Sequence, residues 1–326
     1  MISDADIDRG VILLRAGGLV AFPTETVYGL GADASNDAAV RKIFAAKGRP
    51  HDHPLIVHIA DTAQLAKWAR DIPHAAYALA GRFWPGPLTL VLKRAESVSN
   101  LVTGGQDTIA LRAPSHPIAQ KLLARFGGGV AAPSANRYGR VSATTAEHVK
   151  REFGGAVECV LDGGATDLGI ESTIVDVSSG EASVLRPGMI TAPMLEEALG
   201  ARLGTRSAAS PRAPGTLARH YAPQTPLRVM EPDLLLELAA SLARQGKRVA
   251  VLARSARQPL LPGIAWIGAP PDAAGYAHDL YANLRRLDEA GCDAILAEAL
   301  PETVEWAAIR DRLARASAAG LPPEAT

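Results

Sequence analysis

Between Pro23 and His58 the chain reads P-T-E-T-V-Y-G-L-G, then a helix-like run, then K-G-R-P-H-D-H-P-L-I-V-H. Outside the helix-like run, hydroxyls, two carboxylates, two cations and three imidazoles gather there between short apolar segments. That mixture suits the holding of an anionic ligand better than the filling of a core. Further cations and hydroxyls stand singly at strand ends or in Gly/Pro loops: Thr24, Thr26, Arg112, Ser134, Asn136, Arg137, Arg140, Ser142, Ser172, Thr173 and Arg186. Each alone reads as a surface charge or a turn hydroxyl. Placed together at element ends, they describe a ligand site of the kind open sheets build, and Arg in fixed loops suits bidentate recognition of carboxylate or phosphate.

Individual positions carry unequal weight. Lys47 reads equally well as a cation in the last turn of a helix. Arg49 falls after the helix stop, between Gly48 and Pro50, where a freely solvated tail has no room. His58, alone in a strand, reads first as a core histidine. Gly29-x-Gly31-x-x-Ala34 formally fits a dinucleotide fingerprint, yet Pro23 and Glu25 separate it from the preceding strand and the tight strand-to-helix turn is missing. No P-loop motif occurs. His51-x-His53 with Asp52 is a dense trio without a second cluster at zinc-like spacing, so no metal site is expected.

These residues need elements to position them. Ser35 or Asn36 can cap a helix whose Val40, Ile43 and Phe44 share a face, with Gly48 as its stop. Alternation puts Leu55, Val57 and Ile59 on one face of a strand and Ile56 and His58 on the other. Gly18 to Phe22, Leu88 to Leu92, Thr108 to Arg112, Gly129 to Ala132, Val157 to Leu161, Thr173 to Val177 and Val184 to Arg186 read as further strands. Asp61 caps a helix with Leu65 and Trp68, Pro73 opens another, His116 to Phe126 is helical, and Thr144-x-x-Glu147 reads as a capping box. Without a regular βα alternation, residues 1–204 are expected to form an α+β domain on a mixed, twisted sheet. Residues 205–226, with four Pro, three Arg, His220 and no acid, read as a basic linker or lid. From 227 to 326 strands and helices alternate, which implies a small parallel α/β domain of Rossmann-like kind, with the last few residues frayed.

Composition bounds the class. The chain has 326 residues, 48% hydrophobic and 21% charged, with no formal net charge; it can bury a sizeable core, and it is no dedicated nucleic-acid gripper. No run is long and apolar enough to span a bilayer, and the start, with Asp4, Asp6 and Asp8, lacks the basic opening of a signal peptide, so a cytoplasmic protein is expected. Cys159 and Cys292 lie far apart in apolar segments and are expected as buried free thiols.

Taken together, P-T-E-T-V-Y-G-L-G at 23–31, K-G-R-P at 47–50, D-H-P-L-I-V-H-I at 52–59, W-P-G-P-L-T-L-V-L at 84–92, R-A-P-S-H-P at 112–117, A-P-S-A-N at 132–136, G-I-E-S-T-I-V-D at 169–176 and L-R-P-G at 185–188 resemble the YrdC-type domain of L-threonylcarbamoyladenylate synthases. H-Y-A-P at 220–223, followed by the α/β tail, is similar to the long, two-domain form. The resemblance implies a nucleotidyltransferase that joins L-threonine, bicarbonate or carbon dioxide, and ATP into threonylcarbamoyl-AMP and pyrophosphate. Its product passes to tRNA-modifying threonylcarbamoyl transferase proteins, and magnesium accompanies the ATP. It places Thr26, His58, Arg112, Ala132 and Ser172 around threonine, with Arg112 on the carboxylate. It places Lys47, Arg49, His53, Thr108, Ser134, Asn136, Ser142 and Arg186 around ATP, with Lys47 and Arg49 on the phosphates as the catalytic pair, and it puts Tyr221 in a linker that closes over the nucleotide.

The chain departs from the family's pattern at Thr216 and Leu217, where Met and Lys are usual, at Ala143 in place of Pro, and at His53, where an amide or Lys is also common. The alternatives are an RNA-binding module of the same fold without adenylation, and a carbamoyl-phosphate-using carbamoyltransferase. Neutral charge disfavours the first, and the lack of Cys clusters and of room for extra domains disfavours the second. Direct contact with tRNA is left open.

Overall fold

A computed structural model describes residues 2–207, 210–217, 220–258 and 263–318. Two compact units divide it. The first comprises residues 1–138 and 142–216, the second 139–141 and 217–326, so the Pro-rich segment contributes to both.

The first unit runs α1 (Asp4–Arg15), β1 (Val20–Phe22), β2 (Gly29–Asp33), α2 (Asp37–Lys47), β3 (Ile56–His58), α3 (Leu65–Trp68), α4 (His74–Phe83), β4 (Leu88–Lys93), α5 (Asn100–Thr103), β5 (Thr108–Arg112), α6 (Pro117–Phe126), β6 (Val130–Ala131), α7 (Ala146–Phe153), β7 (Cys159–Val160), β8 (Thr173–Asp176), β9 (Ser183–Arg186) and α8 (Ala192–Leu199). Its strands form one mixed sheet in the order β7-β1-β2-β6-β3-β5-β4-β8-β9. β3 lies parallel to β5 and β4 parallel to β8, while β4 and β5 are antiparallel. The fold is therefore the mixed α+β arrangement expected from the irregular element order.

Local chemistry explains the pieces that frame the site. Asn36, not Ser35, caps α2, its side chain accepting from the N–H groups of Ala38 and Ala39; Gly48 ends the helix in the left-handed region at φ 63°. Val40, Ile43 and Phe44 face the core with Leu55, Val57 and Ile59, whereas Ile56 joins Val91, Ala110, Ile174 and Leu185 on the opposite sheet face. The alternation anticipated for this strand is thus present.

Gly29–Asp33 is a strand antiparallel to β1, which agrees with setting the dinucleotide fingerprint aside. A Cβ on Gly31 would stand 2.8 Å from both Phe22 and Val130, so that glycine permits close packing rather than phosphate approach. The cap of α7 is Thr145, whose hydroxyl accepts from the His148 N–H, not Thr144, whose carbonyl instead pairs with the N–H of Thr166. Both cysteines are free but only half-buried, Cys159 because β7 is an edge strand and Cys292 because it precedes its strand.

The second unit holds β10 (Leu227–Met230), α9 (Pro232–Arg244), β11 (Val249–Ala253), β12 (Ile264–Gly268), α10 (Ala273–Glu289), β13 (Ala294–Glu298) and α11 (Ala307–Ser317). Every strand pair in its sheet is parallel, in the order β10-β13-β11-β12, as βαβ connections require. The final residues, expected to be frayed, lie outside the described ones.

Candidate active site

Of the side chains singled out above, His58 and Arg112 lie on the sheet face opposite the main core. On β3 and β5 the alternation that buries Val57 and Leu111 turns Ile56, His58, Ala110 and Arg112 the other way, and parallel pairing sets His58 opposite Arg112. Thr108 shares that face by alternation but stands at the other end of β5. Ile56, Val91, Ala110, Ile174 and Leu185 form the apolar floor.

Arg112 organises one half of the site. Its side chain is 4% exposed and that of Glu25 is 5% exposed; they form an ion pair at 2.7 Å. Nη1 donates to the Thr26 hydroxyl at 2.8 Å and Nε to the Gly86 carbonyl at 3.2 Å. Glu25 also accepts from the Ser115 N–H at 3.0 Å. His58 lies edge-on to Phe22, ring centroids 6.0 Å apart, with its Nδ1 buried and without a hydrogen-bond partner. Burial, reinforced by the Arg112 charge, pushes its pKa down to about 3, so the imidazole is neutral at physiological pH. Ala132 is buried at the end of β6, its N–H bonded to the Ile56 carbonyl. Ser172 is fully buried, its hydroxyl 2.8 Å from that of Thr89.

A second group gathers at the helix stop. Lys47 is buried, and Nζ donates to the carbonyls of Ser134, at 2.5 Å, and Asn136. It therefore braces the P-S-A-N loop. Burial, with the Arg49 charge adding to it, holds its pKa well below the usual lysine value. Arg49 turns back beyond Gly48 and donates to the Pro54 carbonyl at 2.9 Å, with its guanidinium 5.9 Å from the Tyr138 ring centre. His53 stands edge-on to the same tyrosine, 3.3 Å from its hydroxyl. Burial and Arg49 lower its pKa. Ser142 donates to Glu171 at 2.6 Å.

Arg186 sits apart from Lys47 and Arg49 in its bonding. Its Nε and Nη2 meet the Ser172 carbonyl at 3.1 and 2.9 Å, Nη2 also meets the Ser172 hydroxyl, and Nη1 donates to the Pro214 carbonyl at 3.0 Å. That last bond ties down residues 212–216. Arg212 and Gln106 exchange hydrogen bonds at 2.7 and 3.1 Å, and Ala213 packs onto the apolar floor. This portion of the linker thus lies across the site face. Tyr221 belongs to the second unit, where it adopts a positive φ of 60°, stacks on Tyr281 at 5.7 Å and carries the Arg312 guanidinium over its ring. Its neighbour there, His220, meets the ring edge-on.

Glu25, Tyr138, Thr89 and Glu171 were missed as site partners from sequence, whereas Thr24 was among the residues singled out. Glu25 had a signal: a carboxylate between two hydroxyls in a Pro-led turn.

The first unit matches a family profile described as telomere recombination over residues 12–188. Residues 190–318, which include the end of the first unit, match the C-terminal domain of threonylcarbamoyl-AMP synthase. The chain belongs to the threonylcarbamoyl-AMP synthase family. The threonylcarbamoyl-AMP synthase of Pyrococcus abyssi is 42% identical over 315 residues, spanning 93% of this chain and 92% of that one. The Bacillus subtilis enzyme of the same name is 40% identical, with 97% and 94% covered. A structure of P. abyssi Sua5 complexed with L-threonine superposes with a TM-score of 0.90, at 41% identity over 97% of this chain and 95% of that one. Membership in this synthase family, with both domains matched in order, answers to the long form anticipated from the motifs.

Proposed function

We propose that the chain joins L-threonine, bicarbonate or carbon dioxide, and ATP into threonylcarbamoyl-AMP, releasing pyrophosphate, on the sheet face that carries His58 and Arg112. As a member of its family it is an adenylating nucleotidyltransferase. The observation that carries the placement is Arg112. It is a buried arginine fixed by Glu25, Thr26 and Gly86, with guanidinium hydrogens left over for a carboxylate. A related Sua5 binds L-threonine, and an amino acid is the ligand this geometry suits.

In this reading the threonine carboxylate meets Arg112, beside Thr26, neutral His58, Ala132 and Ser172. The triphosphate lies toward Arg49, His53, Ser134, Asn136 and Ser142. The amine, once carbamoylated by carbon dioxide, presents a carbamate oxygen to the α-phosphorus; the new P–O bond forms as the bond to pyrophosphate breaks. A carbamate is a weak nucleophile, so positioning and neutralisation of charge supply most of the acceleration. Lys47 contributes by holding the Ser134 and Asn136 carbonyls in place, and Arg49 contributes charge. Thr108 and Arg186 flank the nucleotide, Arg186 through the linker it binds, and Tyr221 belongs to the closing of that linker.

Among the described residues no three His, Cys, Asp or Glu side chains gather as a metal set, and Glu25 and Glu171 are engaged with Arg112 and Ser142. The donor set fits a magnesium ion carried by the phosphates with most of its waters, not a protein cage. Bound there, it would offset phosphate charge. No described helix is long and apolar enough to cross a membrane; we place the enzyme in the cytoplasm, handing its product to threonylcarbamoyl transferase proteins that modify tRNA.

Arg49→Ala and Arg112→Ala test the reading. The first is expected to lose turnover with the fold retained, and the second chiefly to raise the KM for threonine. Either variant unfolding at ordinary temperature, with activity per folded molecule intact, would contradict its assigned role.

A further inference from the structure

At the carboxyl ends of its two central strands the second unit gathers donors around a single charge. β11 ends at Ala253 and its parallel neighbour β13 at Glu298. The chain bends after β11 so that the N–H groups of Arg254, Ser255 and Ala256, in succession, meet one oxygen of the Glu298 carboxylate at 2.8, 2.8 and 3.0 Å. The Ser255 hydroxyl donates to the other oxygen. Successive N–H groups turned onto one oxygen, just outside the carboxyl edge of a parallel sheet, are how open α/β folds hold a phosphate group. Here the anion is the protein's own side chain, and it is fully buried.

Two further donors nearby are left over. Arg254 lays its guanidinium over the Trp306 ring at 5.7 Å, and its Nε is buried without a hydrogen-bond partner. Tyr276, 1% exposed, meets the same indole edge-on at 5.5 Å, and its hydroxyl is likewise buried and unpartnered. Burial first, then the Glu298 charge, pushes the pKa of that hydroxyl up, and the Arg254 charge opposes them. A buried donor without an acceptor is costly; two of them on one indole, beside one carboxylate, make a donor set larger than the carboxylate uses. A carboxylate offers two oxygens in one plane. A phosphate offers oxygens at the corners of a tetrahedron, enough for the loop amides, Arg254 and Tyr276 together. We infer that this edge of the second sheet is an oxyanion site suited to a phosphate group, and that Glu298 fills it from within. With Glu298 in place, the second unit takes no phosphate or nucleotide of its own there. Glu298→Ala removes a methylene and a carboxylate, the heavy atoms of an acetate ion, and opens the site to a free anion beside exposed Ser255.

Hydrogen exchange read by mass spectrometry over residues 249–256 and 294–298 follows this unit by itself. Full-length wild type, Glu298→Ala and Glu298→Gln are compared in sodium chloride, sodium acetate and inorganic phosphate at equal ionic strength. In Glu298→Ala, acetate and phosphate should slow exchange saturably, by a factor that grows as one plus the anion concentration over its dissociation constant. Phosphate should bind about tenfold tighter than acetate, the worth of one more hydrogen bond to a charged group, and adding Tyr276→Phe should remove that preference. Wild type and Glu298→Gln, whose amide keeps the space filled, should show no saturable response; the general protection that excluded salts give is common to all the proteins and is subtracted with Glu298→Gln. Folded Glu298→Ala that responds to chloride, acetate and phosphate alike, a phosphate preference that survives Tyr276→Phe, or wild type protected by phosphate as strongly as Glu298→Ala would each overturn the inference. Should Glu298→Ala not stay folded in chloride, refolding from urea decides: recovery with acetate or phosphate present supports the site, and recovery with neither refutes it.

Discussion

His58 makes the first unit sensitive to acid by an amount that follows from its burial. In the folded chain the imidazole resists protonation until about pH 3, whereas in the unfolded chain it titrates near 6.5. A group whose folded pKa is depressed contributes stability that is present above 6.5 and lost as the pH falls toward 3, because the unfolded chain takes up the proton first. The slope over that window is ~1.4 kcal/mol per pH unit, so moving from about pH 7.5 to about pH 5 removes ~2 kcal/mol through this one residue. His58→Gln keeps a polar side chain without the titration. Urea unfolding of wild type and variant at both pH values, followed by the fluorescence of Trp68 and Trp84, gives the double difference. Wild type should lose ~2 kcal/mol more than the variant over the same interval. Equal losses would mean that His58 protonates freely in the folded state, and that the neutral imidazole assigned beside Arg112 is wrong.

Other consequences are as concrete. Breaking the buried Glu25–Arg112 pair by Glu25→Gln should cost ~3 kcal/mol of unfolding free energy, since an unpaired guanidinium remains buried; with Arg112→Met added, the double variant should cost clearly less than the sum of the singles, and strict additivity in denaturant unfolding would contradict the coupling. In the second unit Glu298 is fully buried at the end of β13 and accepts from the N–H groups of Arg254, Ser255 and Ala256. Burial raises its pKa, but those bonds and the Ser255 hydroxyl outweigh it and hold the carboxyl below the usual range. Glu298→Ala should lower the stability of that unit by ~3 kcal/mol, read from Trp266 and Trp306, while threonine binding is unchanged; a neutral effect on unfolding would show that the loop after β11 needs no carboxylate.

What could be read from the chain, and what could not, divides along sequence separation. The two faces of β3 were legible because strand alternation is local, and so was the Gly48 stop that turns Arg49 back. β2 was hidden because glycines are poor strand formers and Gly31 is justified only by Phe22 and Val130. α5 was too short to show a period, and α8, with Pro193 in its first turn, lies between Arg186 and the linker, where no element was assigned from sequence. The site's polar partners were hardest. Glu25 meets Arg112 across 87 residues and Ser142 meets Glu171 across 29; nothing local announces either pair. Lys47 shows the converse. Its place in the last turn of α2 was evident, but its commitment to the Ser134 and Asn136 carbonyls follows only from the folded loop.

The reaction itself is tested by identifying its product. Purified protein given ATP, magnesium, bicarbonate and L-threonine should release pyrophosphate and yield an adenylate with the mass of threonine carbamate joined to AMP, and omission of threonine should abolish both. Folded protein that turns over ATP without threonine, or forms no such adenylate when all substrates are present, would contradict the account.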